Sequence, residues 1–195
     1  MKKLATVLLV LLAAVSQSWA LTVLDFEGIP YLYRYFCGNT NLDGYYAGVN
    51  FGLDATILET AVYGYNSAGF PPHSGNAVLF SFSDPIIRMN FTGGPMGYVE
   101  TWYTSASPFH MSAYDALDNQ LATITGPANY GFSGFLSLAA SGIDHVRFHD
   151  LGNFYVIDDV GYDTQVIPEP ATLMLLGSGL LGMGGIRAFR FRRKK

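Results

Sequence analysis

Two pairs of carboxylates, Asp25 with Glu27 and Asp158 with Asp159, are the side chains whose spacing comes closest to a built site. In an extended chain Asp25 and Glu27 share one face, and Asp158 shares a face with Val156, Val160 and Tyr162 that reads as the core side. An inward carboxylate needs a hydrogen-bonding partner or a metal. If the first and last strands pair, these acids gather into the oxygen-rich kind of cluster that suits Ca²⁺. A structural Ca²⁺ held by some of Asp25, Glu27, Asp158 and Asp159 is one reading; hydrogen-bonded caps or solvated edges are the other. His145, Arg147 and His149 alternate onto one strand face, where two histidines could ligate zinc with a third ligand from elsewhere. The competing reading is a solvated polar face with Val146 and Phe148 turned to the core. His73 and His110 stand in no motif.

No Gly-x-Ser-x-Gly elbow and no His-Glu-x-x-His occurs. Cys37 has no histidine at an interpretable spacing, so no catalytic residue is assigned. Paired carboxylates for glycoside cleavage are set by a fold rather than by a sequence, which keeps a hydrolase as the alternative to a non-catalytic domain. Aromatic residues give the stronger argument for binding. Tyr31, Tyr33 and Tyr35 alternate with Leu32, Arg34 and Phe36, and Tyr45, Tyr46, Tyr63, Tyr65, Trp102 and Tyr103 add further rings. Flat ring faces beside carboxylates and amides match sugars, which present C–H patches and hydroxyls together. Strand aromatics also serve simply as core and edge packing.

The elements that must position these groups read as β throughout. Short runs of β-branched and aromatic residues, separated by Gly, Pro, Asn, Asp and Ser, predict strands at 22–26, 47–51, 60–65, 77–82, 86–91, 98–104, 110–116, 120–125, 134–139, 145–149 and 154–162. The clearest hairpin turns at Asp118-Asn119. Segments 66–76 and 92–97 read as loops at the ends of the fold. Such spacing predicts an all-β, jelly-roll-like β-sandwich over 21–166.

Charge is distributed unevenly. From Leu21 to Ile167 three arginines face fourteen carboxylates, a formal −11, which argues against nucleic acid and favours cations or neutral ligands. With Cys37 as the lone cysteine, the domain must fold without an intrachain disulfide. Both ends are of another kind. Lys2 and Lys3, an apolar stretch from Leu4 to Val15, and Ser18-Trp19-Ala20 make residues 1–20 a signal peptide, with signal peptidase cutting after Ala20.

At the other end Pro168-Glu169-Pro170 precedes an uncharged, glycine-rich run to Ile186 and then Arg187, Arg190, Arg192, Arg193, Lys194 and Lys195. Pro170 suits a helix start. Sixteen uncharged residues reach about 24 Å, and Arg187 and Arg190 can snorkel while neighbouring apolar residues extend the surface. A transmembrane helix over about 171–189 is therefore expected. The basic tail holds the cytoplasmic side of the inner membrane, and the acidic domain lies outside it.

The order of signal peptide, Pro168-Glu169-Pro170, apolar glycine-rich helix and arginine cluster resembles the PEP-CTERM sorting signal over 167–195. That resemblance implies recognition at the Pro-Glu-Pro by exosortase, a membrane-embedded transpeptidase. It also implies a mature protein at the cell surface or in an exopolysaccharide or biofilm matrix. More loosely, Leu24-Asp25-Phe26-Glu27 and 155–160 resemble the ends of the jelly-roll, carbohydrate-binding-like ectodomains that often precede this signal.

Overall fold

The structure is a computed structural model that describes residues 20–29, 42, 44–52, 55–61, 65–81 and 84–164. All of them fall in the unit Ser18–Gln165. Eleven strands run in chain order: β1 Ala20–Leu24, β2 Val49–Phe51, β3 Ala55–Glu59, β4 Ala77–Ser81, β5 Ile86–Phe91, β6 Met96–Ser105, β7 Phe109–Tyr114, β8 Gln120–Gly126, β9 Gly134–Ile143, β10 His145–His149 and β11 Tyr155–Thr164. Among the described residues none is helical, and no helix is long and apolar enough to cross a membrane. The helix expected over about 171–189 lies outside the described residues.

The strands form two antiparallel sheets. One has the order β3-β4-β11-β6-β9 with β1 also paired to β11, and the other has the order β2-β5-β10-β7-β8. From β4 onward the chain yields β4-β11-β6-β9 against β5-β10-β7-β8, two interlocked Greek keys and hence the strand order of a jelly roll. The first and last strands pair as expected, with Leu24 opposite Val160 and Ala20 opposite Thr164.

Between the sheets lies one core to which both contribute, including Ile57, Leu79, Val99, Tyr103 and Ile157 from the first and Met89, Phe109, Met111 and Phe148 from the second. Full burial of each such apolar side chain contributes roughly 1.5–3 kcal/mol. The alternation visible in 145–149 is realised directly: Val146 and Phe148 are fully buried in this core.

Three expectations need correction. The strand placed at 60–65 is instead β3, because the ladder with β4 closes at Glu59–Ala77 and Thr60 N–H donates to the Asn76 carbonyl, ending the hairpin. The segment following Tyr65 is not confined to an end of the sandwich. Its Tyr65 and Phe70 pack on Leu58, Val78 and Val156, on the outer face of the six-stranded sheet. Finally, Asp158 does not share a face with Val160 and Tyr162. A β-bulge between Asp158 and Gly161, with Asp159 at φ +43°, inserts one residue and reverses the alternation. Tyr155, Ile157, Val160 and Tyr162 therefore point into the core, while Val156 belongs to the outer cluster.

Candidate functional site

The bulge leaves Asp158 on the outer face of the six-stranded sheet, where it meets the chain crossing that face. The His73 and Ser74 N–H groups donate to Asp158 Oδ2 at 2.8 and 3.0 Å, and Asp159 N–H donates to Asp158 Oδ1 at 2.8 Å. Asp159 adds a second layer: its Oδ2 lies 2.7 Å from His73 Nδ1, and Ser74 Oγ donates to its Oδ1 at 3.1 Å. From the opposite side Glu27 Oε1 accepts the Asn76 and Ala77 N–H groups at 2.6 and 2.7 Å. Gly75, at φ +52°, sits so close to the Glu27 carboxylate that a Cβ there would collide with it. Asp25 turns back on its own loop, accepting Glu27 N–H at 3.2 Å.

Of the acids considered as calcium ligands, Glu27 and Asp158 thus hold backbone N–H groups of 73–77, Asp159 holds the side chains of His73 and Ser74, and Asp25 stays within its own loop. Among the described residues no three His, Cys, Asp or Glu side chains converge as metal ligands. Asp158 is only 2% exposed, and burial pushes its carboxyl up to about 6 despite the hydrogen bonds that oppose the rise.

The clamp sets the position of the His73 ring. It lies parallel to the indole of Trp102 on β6, with ring centres 3.6 Å apart and planes 7° apart. Phe135, directly opposite Trp102 on β9 and 45% exposed, leans against the same indole at 5.3 Å. Along β6 the same face continues through Glu100, which accepts the Tyr98 hydroxyl at 2.6 Å, to a shallow cavity of about 390 Å³ lined by Leu21, Gly97, Tyr98, Ala139 and Asp163. Gly161 provides the floor beneath Glu100, where a Cβ would approach Glu100 Cγ to 2.7 Å. The result is a strip of rings and apolar surface bordered by carboxylates and hydroxyls.

Of the described aromatic residues singled out in the sequence, only Trp102 belongs to this strip. Tyr103 is a core residue stacked on Phe109, Tyr46 packs edge-on to Phe26 and Phe51, and Tyr45 packs edge-on to Tyr46. Tyr65 donates its hydroxyl to the Phe70 carbonyl. Tyr31, Tyr33, Tyr35, Tyr63 and Cys37 lie outside the described residues, as do Pro168, Glu169, Pro170 and the basic tail from Arg187 to Lys195. His73 and Phe135 were not picked out beforehand. No local motif marks them, although Phe135 falls in the strand expected at 134–139 and shares its parity with Ser137.

His145, Arg147 and His149 occupy the outer face of the other sheet. His145 is not solvated there: it is 1% exposed, stacked on Tyr114 at 5.0 Å, with Nδ1 3.3 Å from Arg88 Nη2 and 3.4 Å from Asp144 Oδ2. Burial, then the Arg88 guanidinium, holds its ring below the ordinary imidazole value. Arg147 lies over the Tyr114 ring at 4.3 Å and donates to Asp118 at 2.5 Å. His149 stacks on His110 at 4.8 Å, and Thr125 pairs with His110 Nδ1 at 2.8 Å. On this face each of these rings already has a ring or guanidinium neighbour.

No curated protein matches the chain. Among solved structures it is similar to a cleaved adhesin domain of Lys-gingipain, at 14% identity over 74% of this chain and 100% of that one, with a TM-score of 0.45. It is also similar to a second such domain from Porphyromonas gingivalis, at 16% identity over 73% and 97%, with a TM-score of 0.41. A carbohydrate binding module of family 29 aligns at 13% identity over 75% and 90%, with a TM-score of 0.42. Residues 166–194 match the family described as the PEP-CTERM protein-sorting motif, and the chain carries that sorting signal.

Proposed function

We propose that this is an exported protein whose 21–166 domain holds a neutral polysaccharide on the outer face of its six-stranded sheet. Signal peptidase releases the domain after Ala20. The segment over about 171–189 holds it transiently at the inner membrane, with the tail from Arg187 to Lys195 inside. Exosortase acts at Pro168-Glu169-Pro170, and the mature form resides at the cell surface or in an exopolysaccharide biofilm matrix. The sorting motif at 166–194 supports the route.

The observation that carries the binding reading is the Trp102 indole held between His73 and the exposed Phe135. Sugar C–H faces pack on rings, and sugar hydroxyls need acceptors and donors at the rim, which Glu100, Asp159 and Ser137 supply. The acidic domain disfavours a polyanion, so the polymer class is neutral. Its role is non-catalytic: the strip offers shape and polarity, with carboxylates oriented by Tyr98, His73 and Ser74 to accept from hydroxyls at the rim.

The test is retention in native gels containing neutral polysaccharides. Phe135→Ala should weaken retention about tenfold or more, corresponding to about 1.4 kcal/mol of binding free energy. His110→Ala on the other sheet should leave retention unchanged. Equal retention of the wild type and Phe135→Ala refutes the site, and release of soluble sugars from the polymer would replace the binder with the hydrolase reading.

A further inference from the structure

Asp163 presents an unbalanced carboxylate. It is 2% exposed on β11, and its Oδ1 accepts the Gly97 and Tyr98 N–H groups at 2.8 and 2.9 Å, where β6 shifts register. Its Oδ2 is buried with no hydrogen-bond partner among the described residues. An acceptor in that state bears its full desolvation penalty, so a missing donor is the natural question. Directly opposite Asp163 on the paired strand is Leu21, and both line the shallow cavity beside Tyr98.

Facing Cα atoms in an antiparallel pair are about 4.5–5.5 Å apart, so the Leu21 backbone runs directly beside the Asp163 position. In the unprocessed chain that nitrogen is an amide, fixed by Ala20, whose own partner is Thr164. Cleavage after Ala20 removes this last pair and converts the amide into an ammonium. Rotation about the Leu21 Cα–C bond then turns the ammonium toward the cavity.

We propose that the α-ammonium of mature Leu21 is the missing partner of Asp163 Oδ2, so that removal of the signal peptide completes an ion pair that locks β1 onto β11. The inference rests on cleavage after Ala20 and is independent of polysaccharide binding. Hydrolysis of the Ala20–Leu21 amide consumes one water and leaves a carboxylate on Ala20 of the departing peptide and the ammonium on Leu21; only the charge and reach of that new terminus matter here. Before cleavage the terminal strand lacks this contact and is the less firmly held, which suits a chain that must cross a membrane before it folds completely. Tyr98, with Glu100 behind it, is the other titratable group facing this cavity.

The experiment uses protein recovered after export, with its start established by intact mass, and follows the α-amino group by NMR titration. An unpaired α-amino group titrates near 7.7–8.0. Paired with Asp163, Leu21 should titrate at least one pH unit higher, a tenfold or greater gain in proton affinity. Asp163→Asn, which keeps the acceptor for Gly97 and Tyr98, should abolish the rise. So should one extra residue before Leu21, which displaces the ammonium without touching the carboxylate. A Leu21 amine that titrates in the ordinary range, unchanged by Asp163→Asn, overturns the pairing while leaving cleavage intact. A mature start other than Leu21 overturns both.

Discussion

Replacing Asp158 with Asn should change the pH dependence of stability in a direction fixed by the bulge. Asp158 is buried beneath 73–77, and its carboxyl is raised from the ordinary 3.8 to about 6, chiefly by desolvation. Because the folded-state value exceeds the unfolded one, the native chain binds the proton more tightly. Stability contributed by this group therefore grows as pH falls from about 6 toward 3.8 and is lost as pH rises through about 6. At about 1.4 kcal/mol per pH unit, the displacement is worth about 3 kcal/mol across that window.

Asp158→Asn removes the titration and also puts an amide N–H against a backbone N–H, since both carboxylate oxygens accept such donors. The variant should thus be less stable at all pH values. Its deficit relative to the wild type should widen by about 2 kcal/mol between pH 7 and pH 4. His73, Asp159 and Tyr65 are the other titratable groups around Asp158 and are present in both proteins. Trp102, the single tryptophan after Ala20, reports on the clamp directly through its stack on His73 in urea titrations. A stability difference that is flat between pH 7 and pH 4, or one that narrows as pH falls, would refute the assignment of a raised Asp158.

Chelation gives a second check: with Asp25, Glu27, Asp158 and Asp159 each engaged in hydrogen bonds within the chain, EDTA should leave the thermal midpoint unchanged. A fall reversed by added Ca²⁺ would restore the calcium reading. For the sorting route, intact mass of protein from a host with exosortase should end near Pro168 to Pro170, and from a host without it should retain the basic tail; identical C-termini in the two hosts would reduce 167–195 to a plain anchor.

The sequence alone carried the all-β class, because alternation of period two survives wherever one face of a strand is buried, as in Val146 and Phe148 against Arg147. It also carried the β7–β8 hairpin, since Asp115 and the positive-φ Asp118 encode their turn locally: Asp115 Oδ1 accepts the Leu117 and Asn119 N–H groups. The sorting signal was equally legible, being a linear pattern of prolines, glycines and arginines that needs no tertiary partner.

Only the tertiary structure decided what the four acids do. A single inserted residue in β11 reverses the faces beyond Asp158, and strict alternation cannot foresee such a bulge. Bringing Glu27, Asp158 and His73 together required the pairing of β1 with β11 and the passage of 65–76 over the sheet, contacts separated by many tens of residues. Trp102 was one ring among many until that passage laid His73 on one side of it and β9 brought Phe135 to the other. The sequence specifies which residues have faces to bury, but register and long-range crossing determine which of those faces remain open for a ligand.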